Sequence, residues 1–525
     1  MQLTDCTAKN QASCETDPAA VIQSLQSALE TSQAEISALK QQLDWFKRQL
    51  FGRKSEKRII EHPDQLDLGA LLDEAPVATE PEATEKITYT RRKPKQRKED
   101  DVTDSGLRFG ADVPVEVIEL SAPELEGPEA DQYEVIDTKI SRRLAQRPGS
   151  YVVLEYQRPV LRHKPSGSLM EVPAPSAVFE GSLADVSLLA GLLVDKFCYH
   201  LPLYRQHQRL TDAGITLSRS TLTNYTQRAI ELLRPIYEAQ WQHILQSRVL
   251  AMDETPIKAG RKKKGQLQGT WYWPIYGEDD EICFTWSASR GSAHIEQQLE
   301  DFAGVLLSDG YAAYDRYAKN KPQITQAQCW AHTRRYFERA SKSDPAAEEA
   351  LTLIGGLYRM EQQIREKGLE GQAKLEYRSR HALPIVDAFF GWCHEQRNRT
   401  DLVNSDPLSR AITYAEKHQV QLKVYLGDPE VPIDTNHLER ALRVIPMGRK
   451  NWLFCWSEVG AKQVGIIQSL LTTCRLHQVD PYTYLVDVLQ RVALHPAREV
   501  EVLTPRLWKE HFATNPLRSD LEHAH

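Results

Sequence analysis

Near the N-terminus, apolar side chains recur at alternating spacings of three and four: Ile22, Leu25, Leu29, Ile36, Leu39, Leu43, Phe46 and Leu50, with Ser32 breaking the series. Such an a/d stripe predicts a coiled coil over residues 18–58 and, through it, a homo-oligomer. The competing reading is a helix that packs its stripe on its own protein. Residues 59–108 then lose all periodicity and become rich in Pro, Glu, Asp and Ala, the composition of a disordered linker. Between 109 and 180 the pattern changes to short alternating pieces such as Val115-Glu116-Val117-Ile118 and Tyr151-Val152-Val153-Leu154, which predict a small β-containing module.

From 181 to 247 the period becomes helical. Leu203 to Leu210 predicts one helix and Asp212-Ala213-Gly214 a turn. Ser218 is placed to cap a second helix that carries Arg219, Ser220, Thr223, Asn224 and Gln227 on its polar side. This is a helix-turn-helix layout with donors suited to phosphates and base edges, although helix-turn-Gly-helix also occurs in ordinary α-helical domains.

The second half reads as mixed α/β. Val249-Leu250-Ala251-Met252 and Val305-Leu306-Leu307 are short, wholly apolar runs, the pattern of buried strands, followed by Asp253 and, after Ser308, by Asp309. Between them, Arg261 to Gly265 predicts a basic hairpin tip including Lys262 and Lys263. Thr270–Tyr276 and Ile282–Trp286 predict two antiparallel strands, and residues 292–302 a helix. Gln326 to Trp330 predicts a further strand, leading into a helix with His332, Arg334 and Arg335. Residues 341–430 read as helical, 431–478 return to the same domain, and 479–525 form a C-terminal helical segment. In the segment IDTNHLERALR, Asp434 is expected to cap a helix whose apolar stripe is Leu438, Ala441 and Leu442, with Glu439 projecting from it.

Asp253, Asp309 and Glu439 are the candidate chemistry. Carboxylates at the carboxyl ends of strands lie where open α/β sheets place their active sites. Three acids from separate elements can hold two divalent cations, since hard cations such as Mg²⁺ prefer oxygen ligands. Taken singly, each has an ordinary explanation: an Asp after a strand is commonly a turn residue, and Glu439 has Arg443 at the spacing of a helix ion pair. Cys329-Trp-Ala-His332 offers two ligands where zinc takes four, so a packed Cys and a polar His are expected there. His332 and Arg335 are candidates to support the active site, and Arg440, Arg443, Arg449 and Lys450 are candidates for phosphate contact.

The 525 residues exceed one ordinary core, so several domains are expected. The net charge of −7 argues against a nucleic-acid partner until its distribution is followed. Residues 196–264 carry +7, and Arg91 to Lys98 pack six positive charges into eight residues. Segregated charge of this kind suits a protein with a DNA-facing side, and a solvated linker patch explains the 91–98 run equally well. The eight cysteines are scattered without a CxxC pair, which fits reduced thiols. No long apolar run or leader pattern is present, so neither a membrane span nor a signal peptide is expected and the expected location is cytoplasmic.

The flanking text of these residues adds a resemblance. QLFGRKSEKR (49–58), LPLYRQ (201–206), STLTNY (220–225), AMDETP (251–256), SDGYAAYD (308–315), CWAHTRRYF (329–337), NHLERALR (436–443), GRKNWLF (448–454), DPYTYL (480–485) and DVLQR (487–491) together resemble the transposases of the insertion sequence 66 family, in the order that family has them. The resemblance implies a bacterial DNA transposase with an RNase H-like catalytic core interrupted by a helical insertion and an Asp-Asp-Glu triad matching Asp253, Asp309 and Glu439. It implies two Mg²⁺ or Mn²⁺ ions, cleavage and strand transfer on double-stranded DNA at terminal inverted repeats and target sites, nucleoid association when DNA is bound, and small accessory proteins as partners. The family's zinc-finger position, however, holds no cysteine here and only His163 as histidine, so no zinc is expected. A non-catalytic DNA-binding regulator, or a decayed transposase-derived protein, is the alternative reading.

Overall fold

The computed structural model describes residues 108–523 apart from 111–112, 127–128, 148, 264–265, 453–454 and 456. The expected coiled coil and nearly all of the expected linker lie outside the described residues. What is described is mixed α/β, with three sheets.

The first part is a β module. Strand β1 (Arg108–Phe109) is followed by β2 (Val115–Glu119), β3 (Tyr133–Arg147), β4 (Ser150–His163) and β5 (Leu169–Glu171). The short pieces expected from alternation are here one long hairpin, because β3 and β4 continue through stretches that carry charge rather than apolar side chains. Directly opposed residues pair there: Glu134 with Arg162, and Arg142 with Glu155. Cross-strand ion pairs support a sheet without leaving a hydrophobic period of two. Ala145, Val152, Leu154, Tyr156 and, from the far end of the chain, Leu521 form the small core of the module.

Four helices follow: α1 (Val186–Phe197), α2 (Leu203–Asp212), α3 (Arg219–Leu232) and α4 (Arg234–Ile244). Between α2 and α3, β6 (Ile215–Thr216) pairs with β1. Ser218 caps α3 as expected, its hydroxyl accepting from the Thr221 amide at 3.0 Å.

The central sheet is built from β7 (Val249–Met252), β8 (Thr255–Lys263), β9 (Gln266–Tyr276), β10 (Ile282–Ser287), β11 (Gly304–Ser308) and β12 (Ile324–Gln328), with α5 (Ser292–Leu299) and α6 (Ala312–Asn320) as the crossovers. Its order is β10-β9-β7-β11-β12, and β8 also pairs with β9. Strands β7 and β8 run along the same side of β9 and are separated only by Asp253 and Glu254. β9 is antiparallel to β7, β8 and β10, while β7, β11 and β12 are parallel. The last strand therefore ends at Gln328, two residues before the sequence-based expectation, and Trp330 already opens α7 (Trp330–Ala340). Helix α5 likewise stops at Leu299 rather than 302.

After α7 the chain is helical through α8 (Ala347–Glu366), α9 (Gly371–Tyr377), a π turn (Arg378–Ala382), α10 (Leu383–Arg397), α11 (Pro407–Lys417) and α12 (Gln419–Gly427). An aromatic cluster joins this stretch to α7: Trp330 and Phe337 lie edge-on to Phe389 at 5.3 and 5.5 Å. Helices α13 (Asn436–Leu442), α14 (Val444–Trp452), α15 (Glu458–Leu476), α16 (Pro481–Arg491), α17 (Pro505–His511) and α18 (Asp520–His523) complete the chain.

Helix α15 covers β10, the edge of the central sheet. The hydroxyls of Ser469 and Thr473, one turn apart, accept the amides of Phe284 (2.8 Å) and Ile282 (3.3 Å). An edge strand otherwise offers such amides to another chain, and here side chains satisfy them. The helix reaches this close because Gly465 has no side chain; a Cβ there would stand 2.5 Å from the Phe284 carbonyl oxygen.

Candidate active site

All four residues of β7 are buried, as are Val305 to Ser308 of β11, so these two strands form the interior of the sheet. Their parallel register pairs Leu307 with Ala251, and two steps further on it brings Asp309 level with Asp253. The turn after β11 depends on Gly310, whose φ of +80° suits glycine. A Cβ there would also come within 2.6 Å of Gln328 Nε2 and 2.9 Å of the Tyr414 hydroxyl. Tyr414 in turn donates to the Asp309 carbonyl oxygen at 2.6 Å, and the Tyr311 amide donates to Asp309 Oδ1 at 2.9 Å.

Asp253, Asp309 and a third acid, Glu254, offer ligand atoms that all lie within 4.8 Å of one another. Burial and the neighbouring charges of Asp309, Glu254 and Glu439 push the Asp253 carboxyl up to about 8. Glu254 had no separate signal in the sequence beyond its place in the Asp-Glu-Thr-Pro run. Its side chain is almost fully buried and accepts from Arg290 Nε (2.9 Å) and the Tyr314 hydroxyl (3.0 Å). Burial raises its carboxyl as well, opposed by Arg290.

Glu439 lies outside the 4.8 Å group but within electrostatic reach of Asp253. Its segment is fastened beside β12. The Trp330 amide donates to the Ile433 carbonyl oxygen (3.1 Å), and both the amide and the hydroxyl of Thr435 donate to Cys329 Sγ (3.3 Å each). Cys329 is therefore a packed thiol, and burial lifts it to about 11. The cap position of α13 is Thr435, one residue later than expected, but its side chain makes no capping hydrogen bond; Asp434 accepts the Asn436 amide (3.0 Å). Glu439 pairs with Arg335, not with Arg443 four residues on: α7 brings the Arg335 guanidinium directly to Glu439 Oε2, whereas Arg443 faces solvent. Arg335 also donates to His332 Nε2 (3.0 Å), which stands 3.7 Å from Glu439 Oε1. Burial, the largest influence on His332, lowers its pKa and favours a neutral ring. Glu439 Oε1 is buried with no hydrogen-bond partner.

The remaining candidates occupy two regions. Arg219, Ser220, Thr223 and Asn224 are exposed on α3 and Gln227 is half-buried. Lys262 and Lys263 are exposed near the end of β8, and Arg440, Arg443 and Lys450 are exposed on α13 and α14 and at their junction. Arg449 instead donates to the Pro256 carbonyl oxygen of β8.

The donor set fits a divalent cation. It is all oxygen, one carboxyl is held far above its usual range by burial and then by its acidic neighbours, and a fourth carboxylate presents a buried atom without a donor. No helix among the described residues is long and apolar enough to cross a membrane.

Residues 181–463 match the model described as Transposase IS66 family, 469–505 match IS66 C-terminal element, and 38–118 match Transposase C of IS166 homeodomain. Among similar proteins, all from Sinorhizobium fredii (strain NBRC 101917 / NGR234), Uncharacterized protein y4jD is 31% identical over 65% of this chain and 69% of its own length. Uncharacterized protein y4hP is 29% identical over 90% of this chain and 89% of its own. The first of the family matches spans more than half of the chain and holds both strand-end aspartates and Glu439. The chain therefore belongs to the Transposase IS66 family, and with it to the enzymes that process insertion-sequence DNA.

Proposed function

We propose that this protein is a metal-dependent transposase that binds the terminal repeats of its element and carries out DNA cleavage and strand transfer with Asp253, Asp309 and Glu439. The observation that carries the proposal is the level placement of Asp253 and Asp309 on adjacent parallel strands, with the Asp253 carboxyl pushed to about 8. The sheet order β10-β9-β7-β11-β12, antiparallel in its first part and parallel in its last, supports an RNase H-like core over residues 248–340 and 431–478 with the helices of 341–430 inserted.

Asp253, Asp309 and Glu439 are the residues to hold two Mg²⁺ or Mn²⁺ ions, which when bound supply activation of water or a 3′-hydroxyl and neutralisation of the leaving oxygen. The rest of the work falls to the protein's own side chains. Arg335 holds the Glu439 carboxylate against α7 through Oε2, while Oε1, with His332 beside it, stays buried without a donor. Tyr311 and Tyr414 fix the Asp309 turn. Exposed Arg440, Arg443 and Lys450 are suited to bind phosphate beside the acids, and Lys262 and Lys263 to bind it further along the duplex. Helices α2 and α3 form the helix-turn-helix, which puts Arg219, Ser220, Thr223, Asn224 and Gln227 toward DNA. Residues 18–58 pair protomers, and with them two DNA ends.

The test is a cleavage and strand-transfer assay with element-end DNA and Mg²⁺, run beside Asp309→Asn. Activity that needs the metal and vanishes in the variant, with DNA binding kept, is expected. A protein that binds this DNA and leaves it uncut, with any accessory proteins of the element supplied, would instead be a non-catalytic binder.

A further inference from the structure

We propose that Arg290 is a DNA-phosphate contact at the active site and that Glu254 is the residue that positions it, rather than a ligand of a cation. This rests on the transposase reading above. Glu254 lies within ligand distance of Asp253 and Asp309, yet its two oxygens already take three donors: Arg290 Nε at 2.9 Å and Arg290 Nη2 on Oε1, and the Tyr314 hydroxyl at 3.0 Å on Oε2. A carboxylate 1% exposed, with a guanidinium cancelling its charge, has little left to offer a cation.

Arg290 is in the opposite situation. Its side chain is 40% exposed, and Nη1 makes no hydrogen bond with a described residue. Its guanidinium lies 4.0 Å from the ring centre of Tyr311 and 4.8 Å from that of Trp271, so the planar fork is held rather than free to swing. Tyr311 joins this group to the acids: its hydroxyl donates to the Arg290 carbonyl oxygen (2.9 Å) and its amide to Asp309 Oδ1 (2.9 Å). Arg290 follows β10 and Tyr311 follows β11, so both come from loops bordering the acid cluster.

A DNA phosphate approaching Asp253, Asp309 and Glu439 meets negative charge. Arg335 spans Glu439 and His332 with both of its Nη groups, whereas Arg290, though paired with Glu254 through Nε and Nη2, keeps the two N–H donors of Nη1 unengaged and its side chain 40% exposed. Guanidinium groups bind phosphate oxygens through such a fork, and a fork already oriented loses little freedom on binding.

The experiment is a cycle between protein and DNA. The binding of element-end duplexes, each with one phosphate replaced by a neutral methylphosphonate, is measured in Ca²⁺ for wild type, Arg290→Gln and Glu254→Gln. Wild type is expected to lose about tenfold in affinity at one linkage near the cleavage position, while Arg290→Gln and Glu254→Gln lose nothing further there. Losses that multiply independently at every linkage overturn the assignment. Arg290→Lys, which keeps the charge without the fork, carries the same test should Arg290→Gln fail to fold. Thermal shifts supply the second arm: Mg²⁺ should stabilise Glu254→Gln as it does wild type and should fail to stabilise Asp309→Asn. Loss of the Mg²⁺ effect in Glu254→Gln would make it a ligand and overturn the positioning role. If wild type binds none of these duplexes, the transposase reading falls and the assignment with it; if it binds them without the expected interaction, the assignment falls alone.

Discussion

Replacing Asp253 by Asn should stabilise the protein in the absence of divalent cations while abolishing cleavage. The wild-type carboxyl is pushed from 3.8 to about 8, first by burial and then by the charges of Asp309 and Glu254. A carboxyl with a raised pKa contributes its full stability below about pH 4, and that contribution declines as pH rises, until it is gone once pH has passed about 8. At about 1.4 kcal/mol per pH unit the whole window amounts to roughly 6 kcal/mol as an upper bound. Solvent relaxation at a partly open site brings the expected difference to about 1–3 kcal/mol at pH 8. Asparagine cannot ionise, and its Oδ1 can still accept the Glu254 amide that Asp253 Oδ1 accepts at 2.7 Å. Thermal unfolding would be followed in EDTA at pH 5 and pH 8, with and without Mg²⁺. The variant should melt close to wild type at pH 5 and above it at pH 8. Saturating Mg²⁺ should then raise wild type, by about 2.7 kcal/mol at a hundredfold excess over Kd, and leave the variant nearly unmoved. A variant no more stable than wild type at pH 8, or an equal response of both to Mg²⁺, would refute the view of Asp253 as a strained cation ligand.

Three other outcomes are expected. Gly310→Ala, at φ +80° and with its Cβ 2.6 Å from Gln328 Nε2, should cost about 1–3 kcal/mol in denaturant titrations and should lower cleavage by shifting Asp309; unchanged activity would mean that the turn does not set that carboxylate. Arg378, fully buried, donates twice to Glu361 (2.8 and 2.9 Å) and also to the carbonyls of Tyr425 (2.6 Å) and Asp428 (2.9 Å), so Arg378→Met should destabilise by about 3–5 kcal/mol, with Glu361→Gln recovering part of the loss in the double variant. Arg219→Ala and Asn224→Ala should weaken element-end binding about 10-fold or more without changing thermal stability, since both side chains are exposed on α3; a full-affinity double variant would remove that helix from the DNA interface.

Much of the site was legible in sequence because burial leaves a plain mark. Val249 to Met252 and Val305 to Leu307 are apolar at every position, as strands covered on both faces must be, and an aspartate follows each, Asp253 directly and Asp309 after Ser308. Ser218 announced the start of α3 because a cap is a local interaction. The tertiary structure alone decided what depends on partners distant in the chain. Register made Asp253 and Asp309 level, and the sequence of either strand says nothing about the other. Glu439 met Arg335, 104 positions earlier, instead of the local Arg443, because α7 brings the guanidinium directly onto the carboxylate. Glu254 became a buried, paired acid only once Arg290 and Tyr314 reached it from two other elements. The long β3–β4 hairpin stayed hidden because ion pairs such as Arg142 with Glu155 replace the apolar alternation that a single strand would show. Short-range preferences are written residue by residue, whereas the partner of a buried charge is chosen by the packing of the whole chain.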